Sequence, residues 1–356
     1  VGYEDDEVNF ESIINVIEEL SIYYSEHNKI KRTPSLIRSF INDKKLENKF
    51  DFTIKGGVRK HGYQLEIPSN VEYPDSNCAY NNENPTQFYL QHLVSLLISI
   101  INVRISKYAY NTNSYSVIKK DSEATKLFQA WMQSLEKDNI IRMYSLNYDR
   151  LFKNLLEEIG INCFEGFNTT GDISDMNELR PIISRIMTDT ESNIFYNLHG
   201  SAFWKVLDLD KNQLPNPEIV FTGIPELSLN YGLATVEIER GKQLYITNII
   251  TGYQKAQKSI FTPFRQMHAS FDRDCSQAGI IYIIGYSFSD EHINECIKTA
   301  LRYNPEVNLE IVDPNFFKKD LELKLVSTIF QYSDKLNFFS TKISENQYTY
   351  LDNQVA

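Results

Sequence analysis

Three short stretches of the chain combine side chains able to hold and polarise a small molecule. Tyr144-Ser145-Leu146-Asn147-Tyr148-Asp149 sets an amide and a carboxylate two residues apart, and Asn197-Leu198-His199-Gly200-Ser201 sets an imidazole beside a glycine. Ile283-Ile284-Gly285-Tyr286-Ser287-Phe288-Ser289-Asp290 ends an apolar run in a glycine, two serine hydroxyls and a carboxylate. An imidazole titrates near neutral pH and can take a proton from water or from a hydroxyl. A neighbouring amide or carboxylate can orient that nucleophile, and a glycine lets the backbone approach a ligand closely. Each stretch follows an apolar run, and in open α/β sheets ligands bind outside the carboxyl ends of the strands. Taken singly each has a simpler reading: Asn147 or Asp149 as a helix cap, His199-Gly200 as a turn, Gly285 with Ser287 as a tight turn ahead of a helix begun at Asp290. Three such ends, in this order on one sheet, favour a site.

The elements that would carry these ends are legible from residue 139 onward. Short apolar runs over 140–146, 193–198, 218–221, 244–250, 280–284 and 307–312 predict strands, and they alternate with predicted helices over 149–159, 254–271 and 290–303. Continuous apolar strands between helices imply a parallel sheet covered on both faces, a doubly wound, Rossmann-like α/β domain spanning 139–340. The first 138 residues read as a mainly helical subdomain. Phe10, Ile13, Ile14, Ile17 and Leu20 recur at helical spacing behind a capping Asn9, Pro85 opens a long helix to about 107, and 122–136 forms a third helix with Leu127, Phe128, Trp131 and Leu135 on one stripe. Residues 25–84 read as loop-rich and 341–356 as a tail.

Composition bounds the function. Of the 356 residues 42% are hydrophobic and 23% charged, ordinary globular usage that excludes a fibrous or disordered chain. A formal net charge of −11 argues against direct nucleic-acid binding, which depends on Lys and Arg neutralising phosphates. Cys78, Cys163, Cys275 and Cys296 are scattered, so reduced thiols in a cytoplasmic protein are expected, without structural zinc. The most apolar run, 93–101, is far shorter than the about 20 residues a membrane helix needs. The chain begins at Val1 without an initiator Met, so the natural N-terminus is expected to be missing.

The trio of strand ends resembles the sirtuin family, and more closely the divergent bacterial sirtuin-like domains of anti-phage defence proteins. Ser145-Leu146-Asn147-Tyr148-Asp149 is similar to the Thr-Gln-Asn-Ile-Asp segment with Leu in place of Gln, His199-Gly200-Ser201 to the His-Gly-Ser segment, and Gly285-Tyr286-Ser287 to the Gly-Thr-Ser strand end. Gly285 to Phe288 with Asp290 and His292-Ile293-Asn294 resembles the defence-type form of that last motif. The likeness covers roughly 139–205 and 275–316. Two features depart from it: the Gly-rich first strand-to-helix turn is absent, so the helical region would follow a missing first βα unit, and no Cys pairs supply the zinc module of deacylases.

The resemblance implies cleavage of the nicotinamide–ribose bond of NAD, with NAD as substrate and no metal. Asn147 would hold the nicotinamide ribose or an attacking water, Asp149 would orient that assembly, and His199 would be the base. Ser145, Gly200, Gly285 and Ser287 would lie against the ribose and phosphate, and Asp313 would bind the adenosine ribose unless Asp313-Pro314-Asn315 is simply a turn. The implied activity is an NAD+ hydrolase giving ADP-ribose, an effector of abortive infection that depletes NAD+, self-assembling and partnered by a HerA-type hexameric ATPase, with no membrane association. The alternatives are an NAD-dependent deacylase or ADP-ribosyltransferase, and a catalytically silent NAD- or ADP-ribose-binding assembly subunit. His27, His61, His92 and His268 read as structural or solvated, and His292 as a capping or packing residue.

Overall fold

In a computed structural model the residues described are 10–23, 53–57, 62–66, 85–105, 122–168, 178–207, 218–222, 234–239, 242–251, 255–312 and 336–339. The helices are α1 (Phe10–Tyr23), α2 (Pro85–Ile105), α3 (Glu123–Glu136), α4 (Leu151–Glu158), α5 (Ile183–Thr188), α6 (Lys255–Lys258), α7 (Phe264–Gln277) and α8 (Glu291–Tyr303). The strands are β1 (Thr53–Gly57), β2 (Gly62–Glu66), β3 (Arg142–Ser145), β4 (Ile194–Asn197), β5 (Trp204–Leu207), β6 (Glu218–Phe221), β7 (Ala234–Glu239), β8 (Lys242–Ile246), β9 (Ile280–Ile284), β10 (Asn308–Val312) and β11 (Leu336–Phe339). The chain divides into two compact units, one built from 1–104, 202–218 and 224–258, the other from 105–201, 219–223 and 259–356.

The first unit holds α1, α2 and two antiparallel pairs, β1 with β2 and β7 with β8. Its core is polar in places: Lys258 Nζ donates to Glu18 Oε1 at 2.7 Å, with both side chains buried. Burial raises Glu19 to a pKa of about 7. Among the described residues no helix is long and apolar enough to cross a membrane.

The second unit contains all three candidate strand ends. β3 pairs in parallel with β4, Arg142 opposite Ile194 and Ser145 opposite Asn197. β9 and β11 flank β10, both parallel to it, with Ile280 opposite Asn308 and Leu309 opposite Leu336. The helices follow their sequence signals. Ser122 caps α3, its Oγ accepting from the Thr125 N–H at 3.2 Å. α8 buries Ile293, Ile297, Ala300 and Leu301 at helical spacing, while Lys298 on its outer side pairs with Glu291 and Glu295. α7 is fastened to β3 by charge: Arg142 Nε donates to Asp274 Oδ2 at 2.6 Å, and the Tyr144 hydroxyl donates to the same oxygen.

Among the described residues the architecture is thus mixed helix and strand with small parallel and antiparallel sheets. Two differences from the sequence expectations have clear physical reasons. The apolar run over 244–250 enters an antiparallel pair because β7 and β8 are only two residues apart, and a parallel pairing needs a crossover of about a dozen residues or more. The helix expected over 254–271 is two helices, α6 and α7, with Pro263 immediately ahead of the second. The hairpin of β1 and β2 falls in the stretch read as loop.

Met132, Ile141, Leu156 and Ile161 form a buried cluster beneath Phe128, Trp131 and Leu135, which seats α3 and α4 against the start of β3. Leu156 is wholly buried there. Leu156→Ala is expected to lower the unfolding free energy by about 2–5 kcal/mol in a urea titration, without shifting the midpoint of α1-side local unfolding seen by hydrogen exchange.

Candidate functional site

The ends of β4 and β9 meet through one carboxylate. Asp290 is the N-cap of α8: its Oδ1 accepts from the backbone N–H groups of His292 at 3.0 Å and Ile293 at 3.4 Å. Its Oδ2 lies 2.9 Å from His199 Nε2. Burial opposes the charge on Asp290, but the His199 bond and the two backbone donors outweigh it and hold its pKa at about 2. An ionised carboxylate only accepts hydrogen bonds, so His199 Nε2 carries the proton between them, and in the neutral ring the lone pair is on Nδ1. The imidazole is buried, with 6% of the residue exposed.

The loop after β3 is clasped from β4. Buried Asn197 donates its single amide group to two carbonyls, Asn147 O at 2.8 Å and Asp149 O at 3.0 Å. Ser201 Oγ donates to the carbonyl between them, that of Tyr148, at 3.1 Å. Three consecutive carbonyls are therefore held by side chains of the next strand end, and each would be costly to leave unpaired. Ser145, buried at the end of β3, accepts from the Asn147 N–H at 3.1 Å. This arrangement leaves the Asn147 side chain exposed to solvent, free of hydrogen bonds among the described residues. Asp149 is less free: its Oδ1 accepts from the Leu151 N–H at 2.9 Å at the start of α4, and burial pushes its carboxyl above the ordinary range.

The turn after β9 is similarly built. Gly285 has φ +62°, a left-handed conformation that favours glycine, and a Cβ there would meet nothing within 4 Å. Its backbone angle, and not crowding by the protein, is what calls for glycine; the space beside it is open. Phe288, a non-glycine residue at φ +56°, is buried, and its carbonyl accepts from Asn294 Nδ2 at 2.9 Å. Asn294 Oδ1 in turn accepts from the Tyr286 hydroxyl at 2.9 Å, and that hydroxyl also accepts from the Asp290 N–H at 3.2 Å. The Tyr, Phe, Asp and Asn of this motif thus shape the turn, leaving Ser287 exposed against Ser289 at 2.9 Å.

Gly200 lies directly after His199 at φ +85° and turns the chain so that Ser201 can reach Tyr148. Asp313 lies outside the described residues. A cavity of about 820 Å³ runs along β3 and β9 and has Ser145, Asn147 and Gly285 in its wall. His199 borders the same strand ends without lining that cavity.

Two contacts could not be read from the sequence. Asp290 was legible as a helix cap, but its second oxygen reaches a histidine 91 residues away. His268, on α7, packs its ring 6.5 Å from that of His199 and 4.8 Å from that of His292. Its Nε2 donates to the Leu198 carbonyl at 3.1 Å, while Nδ1 is buried without a partner among the described residues. Burial first, then the two neighbouring imidazoles, lower the pKa of His268 to about 4. Among the described residues no group of three or more His, Cys, Asp or Glu side chains could hold a metal ion. Cys163 and Cys296 are pushed up to about 12 by burial, so neither thiol is a nucleophile at neutral pH.

The depressed His268 has a defined pH consequence. Between about pH 6.5 and pH 4 the unfolded chain takes up a proton that the folded chain refuses, so this residue's stabilising contribution is present above 6.5 and lost as pH falls through that window. The loss is on the order of 3 kcal/mol by the linkage relation. His268→Gln, which keeps a donor for the Leu198 carbonyl, is expected to gain stability relative to the parent as pH falls from 6.5 to 4 in paired denaturant titrations; parallel curves would contradict the assignment. No protein-family model matches the chain, and a search of curated proteins finds no match.

Proposed function

We propose that the chain is an NAD+ hydrolase that releases nicotinamide and leaves ADP-ribose, and that its parallel pair and trio of strands belong to one sirtuin-like, doubly wound sheet. The observation that carries this reading is the His199–Asp290 pair, set among the ends of parallel strands beside an unengaged Asn147 amide and an open, left-handed Gly285. Nicotinamide is a good leaving group as a pyridinium, so cleavage asks for a positioned ribose and an oriented water more than for covalent machinery. Water oxygen bonds to C1′ of the nicotinamide ribose as the C1′–N bond breaks. The electron pair of that bond goes to the ring nitrogen, giving neutral nicotinamide, and the water proton passes to His199 Nδ1. Asp290 stabilises the imidazolium that results. Asn147 holds the ribose or the water, and Asp149 keeps the loop that carries Asn147 in place through its bond to Leu151.

Ser145 and Gly200 shape the walls of the β3 and β4 ends, while Gly285 and Ser287 lie where ribose and phosphate oxygens would approach. Depletion of NAD+ in anti-phage defence, self-assembly, a HerA-type hexameric ATPase partner and a cytoplasmic location belong to the same reading and rest on motif resemblance.

The test is nicotinamide release from NAD+ by the full-length protein, alone and with a candidate ATPase partner. His199→Ala is expected to lower the rate about 100- to 10,000-fold, the ordinary worth of a positioned general base. Asn147→Ala, exposed and outside the core, should reduce release with circular dichroism unchanged. Bound NAD+ without release under either condition would overturn the reading.

A further inference from the structure

His199 sits in a turn as well as at the end of a strand. The Gly200 N–H donates to the Asn197 carbonyl at 3.1 Å, which closes a four-residue turn over 197–200 with Leu198 and His199 at its centre. The peptide joining Leu198 to His199 is therefore the central peptide of the turn, the one whose plane differs between type I and type II geometry. Type II geometry puts the third residue of the turn, here His199, at positive φ, a region that favours glycine. Phe288 is the one non-glycine residue at positive φ among the described residues, so the turn is held in the other orientation.

The hold comes from α7. His268 Nε2 donates to the Leu198 carbonyl at 3.1 Å, and on the other side of the same residue the Leu198 N–H donates to the Ser145 carbonyl at 2.9 Å. Leu198 and His268 are both buried, so loss of the imidazole donor leaves a buried carbonyl that a flip of the peptide would relieve. The His268 ring is itself seated between two others, 6.5 Å from that of His199 and 4.8 Å from that of the exposed His292. The His292 N–H donates to Asp290 Oδ1, and Asp290 Oδ2 meets His199 Nε2. Asp290 thus fixes the side chain of His199 from α8, while His268 fixes its backbone from α7.

We propose that His268 is a positioning residue for His199: it holds the central peptide of the 197–200 turn so that the imidazole meets Asp290 and turns Nδ1 to the reacting water. The proposal rests on the reading of His199 as the base of nicotinamide release. A histidine suits this place on two counts. Its donor is carried on a rigid ring packed between neighbours, so the Leu198 carbonyl is met in one geometry. Burial and the adjacent imidazoles also keep that ring neutral down to a pKa of about 4, so the donor adds no positive charge beside a base that must itself become positive. A lysine or arginine would supply a donor only together with a charge that disfavours the imidazolium. Because both holds act on one imidazole, losing the second after the first should cost little more.

The test compares three variants of the full-length protein. In His268→Gln the amide nitrogen reaches the place of Nε2, in His268→Asn it stops at the place of Nδ1, and His268→Phe keeps a ring without a donor. Nicotinamide release from NAD+ is measured beside the ¹⁵N shifts of the His199 ring, which report the tautomer that the Asp290 bond selects. The Asn and Phe variants are expected to lower kcat about 10- to 100-fold, the order expected of a misplaced catalytic group, with KM little changed and the His199 ring collapsing to a mixture of tautomers. His268→Gln should restore both readouts, and His268→Asn placed on Asp290→Asn should lower kcat little further. Asn and Phe variants that keep the parent's kcat and its single tautomer would overturn the proposal, as would a Gln variant impaired as severely as the Asn variant. A parent protein that releases no nicotinamide sinks the base reading instead, and the tautomer comparison then decides by itself whether His268 holds His199 to Asp290.

Discussion

The two oxygens of Asp290 join what would otherwise be separate pieces. One oxygen closes the first turn of α8, where backbone N–H groups have no intrahelical partner, and the other fixes the imidazole at the end of β4. Because α8 follows β9 and His199 follows β4, this single side chain sets the distance between the carboxyl ends of the two parallel groups. It also sets the proton position on His199, and with it which ring nitrogen of the neutral imidazole keeps a lone pair. The site's geometry and its chemistry therefore depend on the same bond.

Around that bond, polar side chains act on backbone and leave little to chance. Asn197 and Ser201 take three successive carbonyls of the loop after β3, and Asn294 and Tyr286 hold the turn after β9 in a conformation that includes a left-handed phenylalanine. A left-handed non-glycine residue costs on the order of 1–3 kcal/mol and persists only where its surroundings over-determine it. The buried Phe288 ring and the Asn294 bond do so here. The groups left over at the strand ends, the Asn147 amide, the exposed Ser287 and the open face of Gly285, are the ones free to meet a ligand.

Much of this was legible in the sequence because it is local. Strands at 142–145, 194–197, 280–284 and 308–312, the helix over 123–136 and the helix begun after Asp290 all follow from apolar period and capping chemistry that operate within a few residues. What was not legible is what depends on distance along the chain. No local pattern says that Asp290 reaches His199, that His268 on α7 packs near it, or that Asn197 faces a loop 50 residues earlier. Nor does an apolar run such as 244–250 declare its pairing direction, which the two-residue separation of β7 and β8 decided. Gly285 is expected from the sequence to let the backbone approach a ligand closely; its left-handed backbone angle is a separate call for glycine that no apolar pattern declares.

The most direct test of the account is the tautomer of His199, read from the ¹⁵N chemical shifts of its ring nitrogens in the intact protein at mildly alkaline pH. The account predicts a neutral ring protonated at Nε2 with an unprotonated Nδ1, collapsing to a mixture of tautomers in Asp290→Asn. A ring protonated at Nδ1, or one indifferent to that substitution, would contradict it.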